Sequence, residues 1–153
     1  MWKFYTTDTK VDYNLFEEVF EWYLRTPEIL RSSWEFEDDK KQFIEDLGNG
    51  MNFAGEQDDL FCAMVHGQEK EPGVIEGHLF CASKTGVDFL TALITYSKNQ
   101  ALTRYVSVLT QTPIKHKTML EINRRAGFID TGIRSWSGVY RGRLLEIQHN
   151  IAQ

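Results

Sequence analysis

The stretch from Val106 to Phe128, VSVLTQTPIKHKTMLEINRRAGF, constrains the fold more than any other part of the chain. It opens as an apolar strand, breaks at Thr112-Pro113, restarts as a helix near Lys115 and stops at Gly127. Phe128 then begins a new extended run. Proline removes a ladder donor, so a strand ending on it parts from a neighbour there. Glycine after the last helical turn is the usual residue in the position that needs a left-handed backbone. The order is therefore strand, parted turn, helix, strand.

The rest of the chain extends that order. Lys3–Thr7 alternates and is aromatic, which predicts an edge strand. Asn14 and Glu17 have capping-box spacing, and Leu15, Phe16, Val19, Phe20 and Tyr23 follow as one helical stripe that ends before Pro27. Trp34–Gly48 reads as a second helix with an acidic first turn, Glu35, Glu37, Asp38 and Asp39. Met51–Ala54 and Leu60–His66 make a hairpin around Glu56–Asp59, Gly67–Gly73 is a loop, and Val74–Ala82 is the next strand. This antiparallel arrangement brings Cys62 near Cys81, both read as core-facing thiols. After the turn Ser83–Gly86, Val87–Asn99 is a helix, Tyr105–Leu109 a strand and Lys115–Ala126 the last helix. Phe128–Trp136 and Arg143–Ile147 are the final strands, with turns at Ser137-Gly138 and Arg141-Gly142. The order β-α-α-β-β-β-α-β-α-β-β implies an α/β (α+β) fold: a mixed, mostly antiparallel sheet of six to seven strands with helices on both faces, in one domain over 1–153.

Bulk properties narrow the function. Residues 1–80 carry 7 Lys/Arg against 18 Asp/Glu, whereas residues 81–153 carry 10 against 4. Such a split suits an anionic ligand on the basic half, a cationic one on the acidic half, or head-to-tail homo- or hetero-oligomers. Arg124, Arg125, Arg134, Arg141 and Arg143 come with no nucleic-acid recognition motif, and the net charge of −5 argues against a nucleic-acid partner. No apolar run is long enough for a membrane span and no signal region opens the sequence, so the expectation is a protein that is not secreted. The four histidines and two cysteines lack metal-ligand spacing, so no metal is expected.

The element order and the Gly127-Phe128 pair resemble the GNAT superfamily of N-acetyltransferases over nearly the whole chain. In that family the last helix often reads Asn-x-x-Ala-x-x-x-Tyr-x-x-x-Gly-Phe; here His116, Met119 and Asn123 stand at the first three positions. A second family signature, Arg/Gln-x-x-Gly-x-Gly/Ala, holds the acetyl-CoA pyrophosphate on backbone N–H groups at a helix N-terminus. It aligns with Ser83–Asp88, with Gly86 on the first glycine, Lys84 beside the lost cation and Asp88 in place of a small residue. A carboxylate there is expected to take up the helix N–H groups and repel phosphates.

The resemblance implies acetyl-CoA as cofactor, held by Phe80, Cys81, Ser83, Lys84, Thr85, Gly86, Val87, Thr110 and Asn123, with acetyl transfer to an amine. Asn123 stands where the family has a tyrosine acid, and asparagine cannot deliver a proton at neutral pH. Tyr140, just before the last strand, is the substitute donor or a core or turn aromatic. Glu76 and His78 share one face of Val74–Ala82, pointing either at the cleft as base candidates or at solvent, and His116 is a third candidate. The alternative is a catalytically inactive protein-binding component. The chain looks somewhat like the small GNAT-like proteins of tailed bacteriophage heads or ejected internal proteins, which extends the expected location from the cytoplasm to a virion.

Overall fold

The computed structural model describes residues 1–26, 39–140 and 143–153, with side chains outside 137–144. Its elements are β1 (Trp2–Thr7), α1 (Tyr13–Arg25), α2 (Lys40–Gly48), β2 (Met51–Gln57), β3 (Leu60–Glu71), β4 (Val74–Cys81), α3 (Val87–Ala101), β5 (Ser107–Pro113), α4 (Lys117–Arg125), β6 (Ile129–Tyr140) and β7 (Arg143–Ala152). This is the order expected from sequence. One seven-stranded sheet runs β1-β2-β3-β4-β5-β7-β6. Only β4 and β5 pair in parallel, while the other neighbours are antiparallel.

Side-chain alternation along the strands sorts the core into two layers. Ala63, Val65 and Ile75 pack with Phe89, Leu90, Leu93 and Ile94 of α3 and with Ile122 of α4. Met64 and Phe80, from the same strands, pack with Phe16, Val19, Phe20, Trp22 and Tyr23 of α1 and with Phe43, Ile44 and Leu47 of α2. Aromatic edges lock that second layer: the Phe20 and Phe43 rings lie 5.2 Å apart, and Trp22 and Phe61 4.9 Å apart.

Several local expectations are corrected. Helix α1 begins at Tyr13 with Asp12 in the cap position, so Asn14 is not the cap. The Asp12 carboxylate accepts from the Thr7 hydroxyl instead of capping the helix, and Glu17 pairs with Lys40 of α2 rather than closing a capping box. Helix α2 starts at Lys40, where Asp39 accepts from the Gln42 N–H at 3.1 Å; the expected start at Trp34 and the acids Glu35, Glu37 and Asp38 lie outside the described residues. Gly67–Gly73 is not a loop. Gly67, Gln68, Glu69 and Glu71 pair with β4, and the turn shrinks to Pro72-Gly73, with Gly73 at φ +83°. The β2–β3 turn likewise narrows to Asp58-Asp59, both left-handed. Strand β6 runs through Ser137-Gly138 as a register shift, not a turn, and β7 continues to Ala152.

Strand β5 also outlasts its expected end at Leu109 and includes Pro113. The Ile114 N–H donates to the Glu146 carbonyl of the β7 side at 2.9 Å. Backbone groups alternate along a strand, so the missing N–H of Pro113 faces away from β7, toward β4. There it costs no hydrogen bond, because β4 has already left.

Candidate active site

The parting of β4 from β5 creates the site. The two strands pair only over Val74–Glu76 and Ser107–Leu109. Beyond that, β5 stays with β7 up to Pro113 and β4 stays with β3 up to Cys81. The wedge between them is a cavity of about 430 Å³. It reaches both layers: Trp22, Tyr23 and Phe80 wall it on the α1 side, and Leu90, Ile94, Met119 and Ile122 on the α3/α4 side.

Most sequence-derived candidates meet here. His78, Phe80, Cys81, Ser83, Lys84, Thr85, Thr110, His116 and Asn123 line the cavity. Glu76 sits behind His78, with Oε1 3.1 Å from His78 Nε2 and Oε2 accepting from the Gln111 amide at 3.1 Å. Tyr140 of β6 pairs with Arg143 of β7; its side chain, and the turn expected at Arg141-Gly142, lie outside the described residues. Trp22, Arg25, Gln111 and Thr112 also line the cavity and were not anticipated. The end of α1 is distant in sequence from β4, and only the packing of α1 on the sheet brings it there.

Glu76 and His78 do not form a solvent-facing strand face. Both are buried, 4% and 8% exposed, under the α1/α2 layer. They belong to a polar row that crosses three strands. Asn52 of β2 donates to the Leu47 carbonyl at 2.9 Å and shares a 2.8 Å hydrogen bond with His66 Nδ1. His66 stands opposite His78 in the ladder, and the two rings stack at 6.4 Å. Lys70 Nζ reaches Glu76 Oε1 at 3.8 Å.

Burial drives the row's titration. Loss of water favours neutral imidazole and lowers both histidines, His66 to about 3. Burial alone pushes the Glu76 carboxyl up, but His78, Lys70 and Gln111 outweigh it and hold the group below its usual range. At neutral pH the pair is a neutral imidazole backed by a carboxylate. His116, at the N-cap of α4, is half-buried and also lowered by burial. The Cys81 thiol is raised to about 11 by burial and then by Cys62, and Cys62 is raised by burial as well. Both are free thiols packed against the α3/α4 layer, poor nucleophiles at neutral pH.

The anion-binding candidate survives its apparent flaw. Asp88 does not cap α3: its carboxylate accepts from Arg125 Nη2 of α4 at 2.9 Å. No side chain among the described residues caps α3 at Gly86. A Cβ built on Gly86 meets nothing within 4 Å, so the protein itself does not need glycine there, and space stands open in front of the first helical turn. Lys84 is left-handed, φ +67°, and Thr85 fixes the turn by donating to the Ala82 carbonyl at 2.7 Å. Asn123 is 2% exposed; its amide donates to Thr112 Oγ1 at 3.0 Å.

No family model matches the sequence, and no curated protein matches it either. Solved structures do resemble it. A candidate acetyltransferase from Salmonella typhimurium, solved with its cofactor acetyl-CoA, superposes with a TM-score of 0.78 at 13% identity, over 99% of this chain and 93% of that one. A spermidine N-acetyltransferase from Vibrio cholerae, described as a dodecamer, gives 0.76 at 11% over 99% and 92%. An N-acetyltransferase from Staphylococcus aureus gives 0.77 at 11% over 100% and 98%. The fold of this chain is that of the GNAT-family acetyltransferases.

Proposed function

We propose that this protein is an acyl-CoA-dependent N-acyltransferase that moves an acetyl group from acetyl-CoA to an amine. One observation carries the reading: the cavity at the β4/β5 parting runs to the Ser83–Thr85 turn that leads into α3, and a side chain at the next residue, Gly86, would meet nothing within 4 Å. Exposed N–H groups at a helix N-terminus are a ready site for a pyrophosphate. Between the parted strands, the edge of β4 beyond Glu76 is left without β5 as partner, and an extended arm bearing amides can take the missing strand's place. Ser83, Lys84, Thr85, Gly86 and Val87 would hold the phosphates, and Phe80, Cys81, Thr110 and Asn123 the arm. Acetyl-CoA supplies an activated acyl carbonyl.

The residues of the chain handle the amine and its proton. An amine arrives as an ammonium and must lose a proton before it can attack. His78 is neutral and on the cavity wall, so it accepts that proton, and the Glu76 carboxylate behind it stabilises the imidazolium that results. The apolar walls exclude water and strengthen that contact. Asn123 cannot donate the proton that the departing thiolate needs. His116 lines the same cavity but is held neutral by burial, so the proton that His78 takes from the amine is the one returned to the departing thiolate.

Calorimetric titration with acetyl-CoA tests the reading. Binding is expected in the micromolar range, and Gly86→Val should weaken it about tenfold while lowering the melting temperature by no more than about 5 °C, the cost of a poorer helix cap. No heat at millimolar acetyl-CoA would sink the proposal. A second reading, a catalytically silent binding component such as a bacteriophage virion protein, is favoured by Asn123 in place of a phenol. Asp88 no longer supports it, because Arg125 engages that carboxylate. Acetyl-CoA binding without turnover of any amine would select it.

A further inference from the structure

The α1 side of the cavity carries charges in a definite order. At its inner end lies His78, backed by the buried Glu76 carboxylate. Along its wall are the rings of Trp22, Tyr23 and Phe80. At its rim, in the last turn of α1, stands Arg25. Among the described residues Lys40 pairs with Glu17, Lys70 with Glu76, Arg124 with Glu121, Arg125 with Asp88 and Arg134 with Asp130; of the two Lys/Arg residues that line the cavity, Lys84 stands at the turn before α3 and Arg25 on the α1 side. Arg25 is exposed and makes no ion pair among the described residues. It places a guanidinium at the mouth of an apolar chamber whose inner end is backed by the Glu76 carboxylate.

We infer that the acceptor is an amine with an apolar body that also bears a carboxylate, which Arg25 receives at the rim while the amino group points at His78. This deepens the acyltransferase reading and rests on it. The orientation follows from the two charges. An ammonium is drawn inward by Glu76 and by the aromatic faces, which attract cations. A carboxylate is repelled by Glu76 and, on the α1 side, meets a cation at Arg25, whose planar fork matches it; Lys84, the other Lys/Arg of the lining, lies at the turn assigned to the phosphates. A polyamine, with a second cation at the outer end, would face Arg25 unfavourably.

The test compares pairs of amines that differ in a carboxylate, 4-(aminomethyl)benzoate against benzylamine and 4-aminobutyrate against n-butylamine, with spermidine beside them. Acetylation rates are measured on the full chain, and amine binding is measured by calorimetry with and without CoA. At least one carboxylate-bearing member is expected to exceed its partner about tenfold in kcat/KM. Arg25→Gln should erase that advantage through KM while leaving acetyl-CoA affinity within about twofold. Arg25→Lys should restore part of it. Equal rates within both pairs, a preference for spermidine, or an Arg25→Gln variant that loses acetyl-CoA affinity instead would overturn the inference. Failure of the wild type to bind acetyl-CoA would overturn the acyltransferase reading itself; carboxylate-dependent amine binding lost in Arg25→Gln would then still uphold the Arg25 site.

Discussion

Against α3 and α4, strands β3 and β4 present Ala63, Val65 and Ile75; against α1 and α2 the same strands present Met64, His66, Glu76, His78 and Phe80. Both faces are buried, yet one is apolar and the other holds titratable groups. An apolar face stabilises in proportion to its area. A buried imidazole or carboxylate costs free energy unless it is partnered. The partners are present in Asn52, Gln111 and Lys70, so the polar face is a built feature, placed where β4 and β5 begin to part. The contrast gives stability to one face and, on the acyltransferase reading, proton handling to the other.

The sharpest way to break that division is His78→Ala. On the acyltransferase reading, kcat/KM should fall about 10²–10⁴-fold, the usual contribution of a positioned base, while circular dichroism shows the sheet intact. Retained activity would return His78 to a structural role. The opposite face gives the converse experiment. Leu93 is fully buried against β2 and β3, so Leu93→Ala should cost about 2–5 kcal/mol in denaturant unfolding, without a change in the pH profile of activity.

Acid should separate the faces by the same logic. His66 and His78 are held neutral when folded but take up a proton near pH 6.5 when unfolded. The unfolded chain therefore binds more protons below that pH, and stability is lost as pH falls from about 6.5 toward about 3. Glu76, held below its usual range, adds to the loss in the same direction as pH falls through its folded value. The total should be a few kcal/mol in unfolding free energy, and His66→Gln should flatten the slope between pH 6.5 and 4. The smallest effect belongs to Asp88→Asn. An exposed ion pair is worth less than about 1 kcal/mol, and because Asp88 is turned to Arg125, acetyl-CoA affinity should change less than about twofold. A large gain in affinity would show that the carboxylate does oppose the phosphates.

Local pattern was a good guide wherever a residue's partners are close in sequence. The apolar stripe of α1 and the Gly127 stop of α4, left-handed at φ +95°, need only neighbours within a few turns. The same holds for the alternation that put Glu76 and His78 on one face. The sequence was a poor guide to strand ends. Gly67–Glu71 is polar and glycine-containing, yet it is strand because β4 lies opposite to receive its hydrogen bonds. Tyr140, at the end of β6, is a candidate for its chemistry alone, and its side chain lies outside the described residues.

By itself, then, the sequence determined the order of elements, the proline break at Pro113 and the glycine at position 86, because these follow from backbone chemistry that each residue carries with it. Only the tertiary structure decided that Glu76 and His78 are buried instead of solvated, that Asp88 serves Arg125 and not the helix start, and that Arg25 stands at the mouth of the cavity. Each of those depends on which surface packs over a side chain. That is settled by distant segments closing on the sheet, and no local pattern records it.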